Sequence, residues 1–252
     1  ADTVAIYDSY IHDGAPRLYD NSGKAASCIQ NVIFNGVHVK NYSKGNDMID
    51  FRAGEYHRVS IVNCTFEDCA RTFMRTDAGS EINYLTVRNN TFYKVSTNST
   101  SKDNNGIFHV RSAAGSGMLD YRIVNNLFYS ILIDETPEHA NGYPRFISNN
   151  AAALKPNVIA NNYFYNIEER EDKSAYSWWT VNCSREDGLA GGGVVLPADP
   201  CKDAANGDFT LVNAVAMNSN IGAPCWNPMR GSNPSSEITV ENVNDLLTAI
   251  SA

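Results

Sequence analysis

The 252-residue chain has no Cys-x-x-Cys pair, no long apolar run and no excess of basic residues, and each gap removes a class of function. Without cysteines paired at ligand spacing, the strongest signature of a structural zinc module is missing. Without an apolar run of about eighteen residues there is no helical membrane span. A formal net charge of −8 argues against nucleic acid or an anionic membrane as partners held by bulk electrostatics, although a local basic strip could still hold an anionic polymer. Charged residues make up only 19% of the chain, while Asn, Ser, Thr, Gly and Tyr abound, a mix that suits strands and turns better than helices. The opening Ala1-Asp2-Thr3-Val4 lacks the basic and apolar regions of a signal peptide, so any such leader is expected to be gone already or not included.

What the chain does have is a repeat. Ile29-Gln30-Asn31-Val32-Ile33-Phe34 recurs in outline as Ile61-Val62-Asn63-Cys64-Thr65-Phe66, Val87-Arg88-Asn89-Asn90-Thr91-Phe92, Ile123-Val124-Asn125-Asn126-Leu127-Phe128 and Ile159-Ala160-Asn161-Asn162-Tyr163-Phe164. A small or medium apolar residue follows each Phe by three: Val37, Cys69, Val95, Ile131 and Ile167. The steps from Phe to Phe are 32, 26, 36 and 36 residues, the period of a solenoid or array with loops of unequal length. The shared Asn falls where a strand turns, and it can hydrogen-bond its own copy in the next repeat. Upstream of each core, Val59 and Ile61, Leu85 and Val87, and Tyr121 and Ile123 alternate as one strand face. A second strand family lies between the cores, in Met48–Arg52, Thr72–Arg75, Ile107–Arg111 and, more weakly, Arg145–Ser148. The Phe and its follower supply a short third strand.

Three strands per repeat predict an all-β fold, a right-handed parallel β-helix. The hairpin turns of a propeller and the Leu pattern of a leucine-rich horseshoe are both missing. Rungs are expected over residues 1–175 and a closing segment over 176–252, whose tail from Thr239 to Ala252 reads as a short amphipathic helix that caps the stack. The first strand, Val4–Ile11, begins without a cap, which predicts an upstream domain or cap in the same precursor. Cys69 fills a Val/Ile slot and reads as a buried free thiol. Cys183, Cys201 and Cys225 sit in Gly- and Pro-rich chain, where an exported protein is expected to carry a disulfide.

The five Asn-x-x-Phe rungs resemble the pectate-lyase-like right-handed β-helix superfamily. The run from Ala198-Asp199-Pro200 through Asn206-Gly207-Asp208-Phe209-Thr210-Leu211 to Ile221-Gly222-Ala223-Pro224 is similar to the closing segment of poorly characterised exported members encoded with bacterial polysaccharide-utilisation systems. That group often ends in Gly-Asp-Pro-Arg-Trp, where this chain has Gly222-Ala223-Pro224-Cys225-Trp226, a departure that suggests local pairing of Cys225. The resemblance implies a secreted, periplasmic or cell-surface protein acting on acidic polysaccharide, by lyase chemistry or by binding.

Aligning the second strand family on its arginines turns Ile49, Thr72 and Phe108 inward, together with Phe51, Met74 and Val110. Asp50, Phe73 and His109 then point outward, beside a column of Arg52, Arg75 and Arg111. Guanidinium groups stacked at about 4.8 Å repel one another, so a row of substrate carboxylates would neutralise them well. The alternative is that they pair with Asp50, Asp77, Glu55 and Glu81 as surface ladders. β-Elimination from a uronate requires neutralisation of the carboxylate, a base for the C5 proton and an acid for the leaving oxygen. Arg75 at the centre and His109 beside it are the catalytic candidates, with Arg52, Arg111, Asp50 and Asp77 as substrate contacts. No Asp/Glu triad has convincing calcium spacing, which leaves Ca2+ as the one candidate ion and no assigned ligands. Tyr93, Tyr129, Tyr165 and Trp178-Trp179 could stack on sugars or pack as half-buried sheet aromatics. Two further readings stay open: a noncatalytic glycan-binding surface module, and an adhesive or structural β-helix fragment.

Overall fold

The computed structural model describes residues 2–14, 17–21, 28–42, 47–69, 72–96, 107–110, 119–131, 146–148, 156–167 and 185–230. Two parallel sheets dominate it. The first holds β1 (Thr3–Tyr7), β3 (Tyr19–Asp20), β4 (Cys28–Asn35), β6 (Asp47–Val62), β8 (Thr72–Arg88), β10 (Phe108–His109), β11 (Asp120–Val124), β13 (Ile147–Ser148) and β14 (Val158–Ala160). The second runs in the order β16 (Val194–Val195), β15 (Tyr163–Tyr165), β12 (Leu127–Tyr129), β9 (Thr91–Tyr93), β7 (Thr65–Glu67), β5 (His38–Lys40), β2 (Tyr10–His12). Each turn of chain crosses from one sheet to the other and pairs in parallel with the turn before it, so the whole is a solenoid-like stack.

The short strands of the second sheet are set by backbone corners. Asn63, Asn89, Asn125 and Asn161 have φ between 51° and 58°, in the left-handed region that Asn enters more easily than most residues. A second left-handed residue closes each of these strands, at Asp68, Lys94, Ser130 and Asn166. The corner asparagines bond along the stack as the spacing predicts, Asn89 Nδ2 donating to Asn63 Oδ1 at 3.4 Å and Asn161 Nδ2 to Asn125 Oδ1 at 3.0 Å. The residue after the corner does more. Asn90, Asn126 and Asn162 are fully buried, and each Oδ1 accepts a backbone N–H from the turn before: Cys64 N, Asn90 N and Asn126 N, at 2.9, 2.9 and 3.1 Å.

Four of the five repeats stack in register, and Phe66, Phe92, Phe128 and Phe164 lie face to face at 5.3, 4.9 and 5.1 Å. Asn31–Phe34 is the exception. Phe34 pairs with Ile61 inside the first sheet, Gly36 (φ 70°) takes the corner, and Val39 lies beside Phe66. That turn matched the motif by composition but not by position. The two expected upstream strand families also merge, because β6 and β8 run unbroken through both, bent by an irregularity between Phe51 and Ala53. At the entry to the second family, two consecutive residues turn inward: Met48-Ile49, Phe73-Met74, Ile107-Phe108 and Phe146-Ile147 are all buried. Phe73, expected outside, therefore packs edge-on against Phe66 and Phe92 at 4.5 and 4.9 Å.

Beyond β16 the chain folds back over the outer face of the second sheet. An antiparallel pair, β17 (Cys201–Asp203) and β18 (Asp208–Leu211), places Phe209 and Leu211 on Tyr93, Leu127, Tyr129 and Tyr163. A short helix (Ala214–Asn218) starts on Asn213, whose Oδ1 accepts from Val215 N and Ala216 N. The strap then bonds successive turns: Tyr129 OH donates to Asp199 Oδ2 at 2.6 Å, Ala223 N to Thr91 Oγ1 at 3.0 Å, and Trp226 Nε1 to Thr65 Oγ1 at 2.8 Å. The expected disulfide is not formed among the described residues, where Cys28, Cys64, Cys69, Cys201 and Cys225 are all free thiols. Hydrophobic burial already fixes this segment, and Cys201 sits in its apolar cluster. Cys183, Trp178-Trp179 and the expected terminal helix lie outside the described residues.

Candidate functional site

The outer face of the first sheet collects the charged residues. Its register aligns Asp20, Asp50, Arg75, His109 and Ser148 on adjacent strands. The expected column of arginines is thus replaced by a mixed row in which Arg75 stands between Asp50 and His109. Arg52 lies two residues beyond Asp50 on β6, and Arg111 and the side chain of Asp77 lie outside the described residues. The physical reason is a slip of two residues. A slip of two preserves the alternation of faces, so hydrophobic alternation cannot detect it, and it puts an acid rather than a second cation across from Arg75.

Asp50 anchors the cluster. It is fully buried and receives Arg52 Nε at 2.9 and 2.8 Å on its two oxygens, and Arg52 N at 3.1 Å. Arg17 Nε lies 3.3 Å from the same Asp50 Oδ2, and Arg17 reaches Asp20 through a terminal nitrogen at 2.8 Å. Arg75 pairs with buried Asp47 at 3.3 Å. The arginines keep part of their surface, with 27%, 18% and 12% of the side chain exposed for Arg52, Arg17 and Arg75, whereas His109 is completely buried. Arg17, Asp20 and Asp47 are site residues that sequence reasoning missed. The spacing of Arg17 and Asp20 was the available signal, since both flank the first β-former of a short strand, but no repeat marks them.

Residues of β4, β6 and β8 also line a polar cleft of about 180 Å³: Cys28, Gln30, Glu55, Tyr56, His57, Glu81 and Asn83. Glu55 and Glu81, arginine partners in the alternative reading, both line this cleft. The tyrosines of the second sheet do not form a sugar platform there. Tyr93 and Tyr129 are 7% exposed under the C-terminal strap, and burial together with the Asp199 carboxylate raises the pKa of the Tyr129 phenol. Among the described residues, no group of three or more His, Cys, Asp or Glu is placed to hold a metal ion. No family model, curated protein or solved structure matches the chain, so the site stands on its own geometry.

Proposed function

We propose that the protein is a glycan-binding β-helix that holds acidic, uronate-containing polysaccharide along the outer face of the first sheet. The observation that carries this reading is the buried Asp50 carboxylate, which accepts from Arg52 Nε and lies 3.3 Å from Arg17 Nε, so that two guanidinium groups are held at one acid. Guanidinium groups held in place in this way lose little freedom on binding, and their geometry suits the carboxylates of a uronate. A right-handed parallel β-helix with three strands per turn, as the pectate-lyase-like resemblance implies, belongs to the same proposal, as does export to the periplasm, cell surface or medium. Its long parallel face suits a polymer.

Lyase-type β-elimination is the second reading, and the pairing of Arg75 with His109 in one row favours it. Binding is placed first because His109 is fully buried, and a general base must come within hydrogen-bond reach of the C5 proton. Titration with homogalacturonan and other uronate oligosaccharides, with and without calcium, tests both. Binding weakened roughly tenfold or more by Arg52→Ala, with no ultraviolet-absorbing unsaturated product, is the expected result. A product signal abolished by His109→Ala would put the lyase reading first. Binding that is absent, or unchanged in Arg52→Ala and Arg17→Ala, would remove the arginine cluster as the site.

A further inference from the structure

Where the strap crosses the corner between the two sheets, two arginines stand near each other without an acid. Arg88 is the last residue of β8, paired with Val62 and Val124 on the flanking strands. Its neighbour Val87 is buried in the core, so Arg88 faces outward and is exposed. Val124 is followed by the corner residue Asn125, whose carbonyl accepts Gly222 N of the strap at 2.9 Å. On the turn of Arg88 itself, Ala223 N donates to Thr91 Oγ1 at 3.0 Å. Arg230 folds back on this crossing, its Nε donating to Asn220 Oδ1 at 3.1 Å and its Nη1 to Gly222 O at 3.5 Å. Both acceptors are neutral, and the N–H groups on the far edge of the guanidinium are left over.

Arg17, Arg52, Arg75 and Arg122 each reach a carboxylate. Among the described residues, Arg88 and Arg230 do not. Burial and the nearby charge of Arg88 both lower the pKa of Arg230, as expected of a cation held beside another cation. In a chain of net charge −8 such a pair is an exception, and it repels itself unless an anion joins it. We propose that Arg88 and Arg230 form an oxyanion site for a tetrahedral dianion, inorganic sulfate or phosphate or a phosphate monoester. A dianion matches two guanidinium charges, and its oxygens can serve donors that arrive from two separate elements. A carboxylate carries half the charge, and a single guanidinium fork already occupies both its oxygens. The bound anion links β8 to the end of the strap, so binding stabilises the folded chain. The site uses none of Arg17, Arg52 and Arg75, and it stands or falls separately from the acidic-glycan reading.

Thermal unfolding of the full chain at constant ionic strength, near pH 7.5 where phosphate is largely dianionic, tests this. The probes are sulfate, phosphate, glucose 6-phosphate, galacturonate and chloride. The first three are expected to raise the melting temperature saturably, with galacturonate and chloride at least about tenfold weaker. Tighter binding of glucose 6-phosphate than of phosphate would assign the group to a monoester, and the reverse to the free ion; both support the site. Arg88→Gln and Arg230→Gln should each weaken sulfate binding roughly tenfold, while Arg58→Gln, the same charge change elsewhere, should leave it unchanged. Arg230→Gln also cuts two strap bonds, so Arg88→Gln, exposed and unbonded, decides. Circular dichroism establishes that each variant is folded. A rise linear in concentration that survives Arg88→Gln would be salting-out of the whole surface, and the site falls. A saturable rise lost in Arg52→Ala but kept in Arg88→Gln would place the ion at the other cluster and overturn the proposal. Galacturonate binding as tightly as sulfate would overturn the ligand class.

Discussion

Asparagine serves two purposes in this chain, and neighbouring copies divide them. Asn125 sits at a corner with φ 57°, so its value is conformational, whereas Asn126 beside it is fully buried and bonded on every side. Asn126 Oδ1 accepts from Asn90 N and Nδ2, and its Nδ2 donates to Val87 O at 3.1 Å. Replacing Asn126 by Ala orphans buried backbone groups at about 1–3 kcal/mol each, so Asn126→Ala should lose about 3 kcal/mol or more in urea unfolding. Asn125→Gly should stay within about 1 kcal/mol of the parent, because glycine keeps the left-handed corner, while Asn125→Val should lose at least about 2 kcal/mol. Equal losses for Asn125→Gly and Asn126→Ala would contradict this division. Three of the repeats carry Asn-Asn before the Phe, which makes the corner role legible, but the sequence cannot reveal the buried ladder, because that role appears only once a neighbouring turn supplies the bonding partner. The thiols divide in the same way. Burial pushes Cys64 and Cys69 up to about 12, while Cys28 is exposed on the rim of the cleft. Thiol labelling of the native protein near pH 8, read by peptide mapping, should mark Cys28 and spare Cys64 and Cys69 until denaturant is added.

The strands and the strap place these residues, and their interface contains a titrating group. His38 on β5 lies against Phe209 and Trp226 of the strap at 6.4 and 6.1 Å, with Tyr10 at 5.1 Å on the other side. Glu67 takes both His38 Nε2 at 3.2 Å and Lys40 Nζ at 2.7 Å. Burial lowers the pKa of His38, against the opposing pull of Glu67. With a folded pKa below the ordinary value of about 6.5, the unfolded chain takes up the proton first as pH falls. Stability from this group is therefore full above about pH 7.5, declines as pH falls through 6.5, and levels off below the folded pKa. Urea midpoints followed by tryptophan fluorescence should fall across that window in the parent by more than in His38→Gln; parallel curves would show that His38 contributes nothing. At this scale the sequence was informative about the elements and poor about their offset. The inward positions Val59, Ile61, Leu85, Val87, Tyr121 and Ile123 all fall in the core, as their alternation predicts. The charged row did not follow, because a slip of two residues preserves that alternation while changing which charge faces Arg75. Phe73 was misplaced because period-2 reading turns only every second residue inward, whereas Phe73 and Met74 are both buried.

The stack as a whole is nearly one-dimensional, which separates stability from binding in a testable way. Each turn contacts chiefly the turns on either side and the strap, so a defect should be felt by its neighbours and fade beyond them. Phe128 is the middle of the aromatic column, fully buried between Phe92 and Phe164 at 4.9 and 5.1 Å and edge-on to Phe146 at 5.0 Å. Phe128→Ala should cost about 3–5 kcal/mol, because the two faces of the stack cannot close the gap without moving both sheets. Arg17 and Arg52 rest on the residues just before β3 and on β6, on turns that Phe128 does not touch, and Asp50 holds both. Below the unfolding transition, Phe128→Ala should therefore bind acidic oligosaccharide within about twofold of the parent, whereas Asp50→Ala should lose binding and stability together. Hydrogen exchange gives the spatial check: Phe128→Ala should lose protection in β9, β12 and β15 while β1 and β4 keep theirs. Uniform loss along the stack would mean that the coil unfolds as a single cooperative unit, and the separation of scaffold from site would then have to be abandoned.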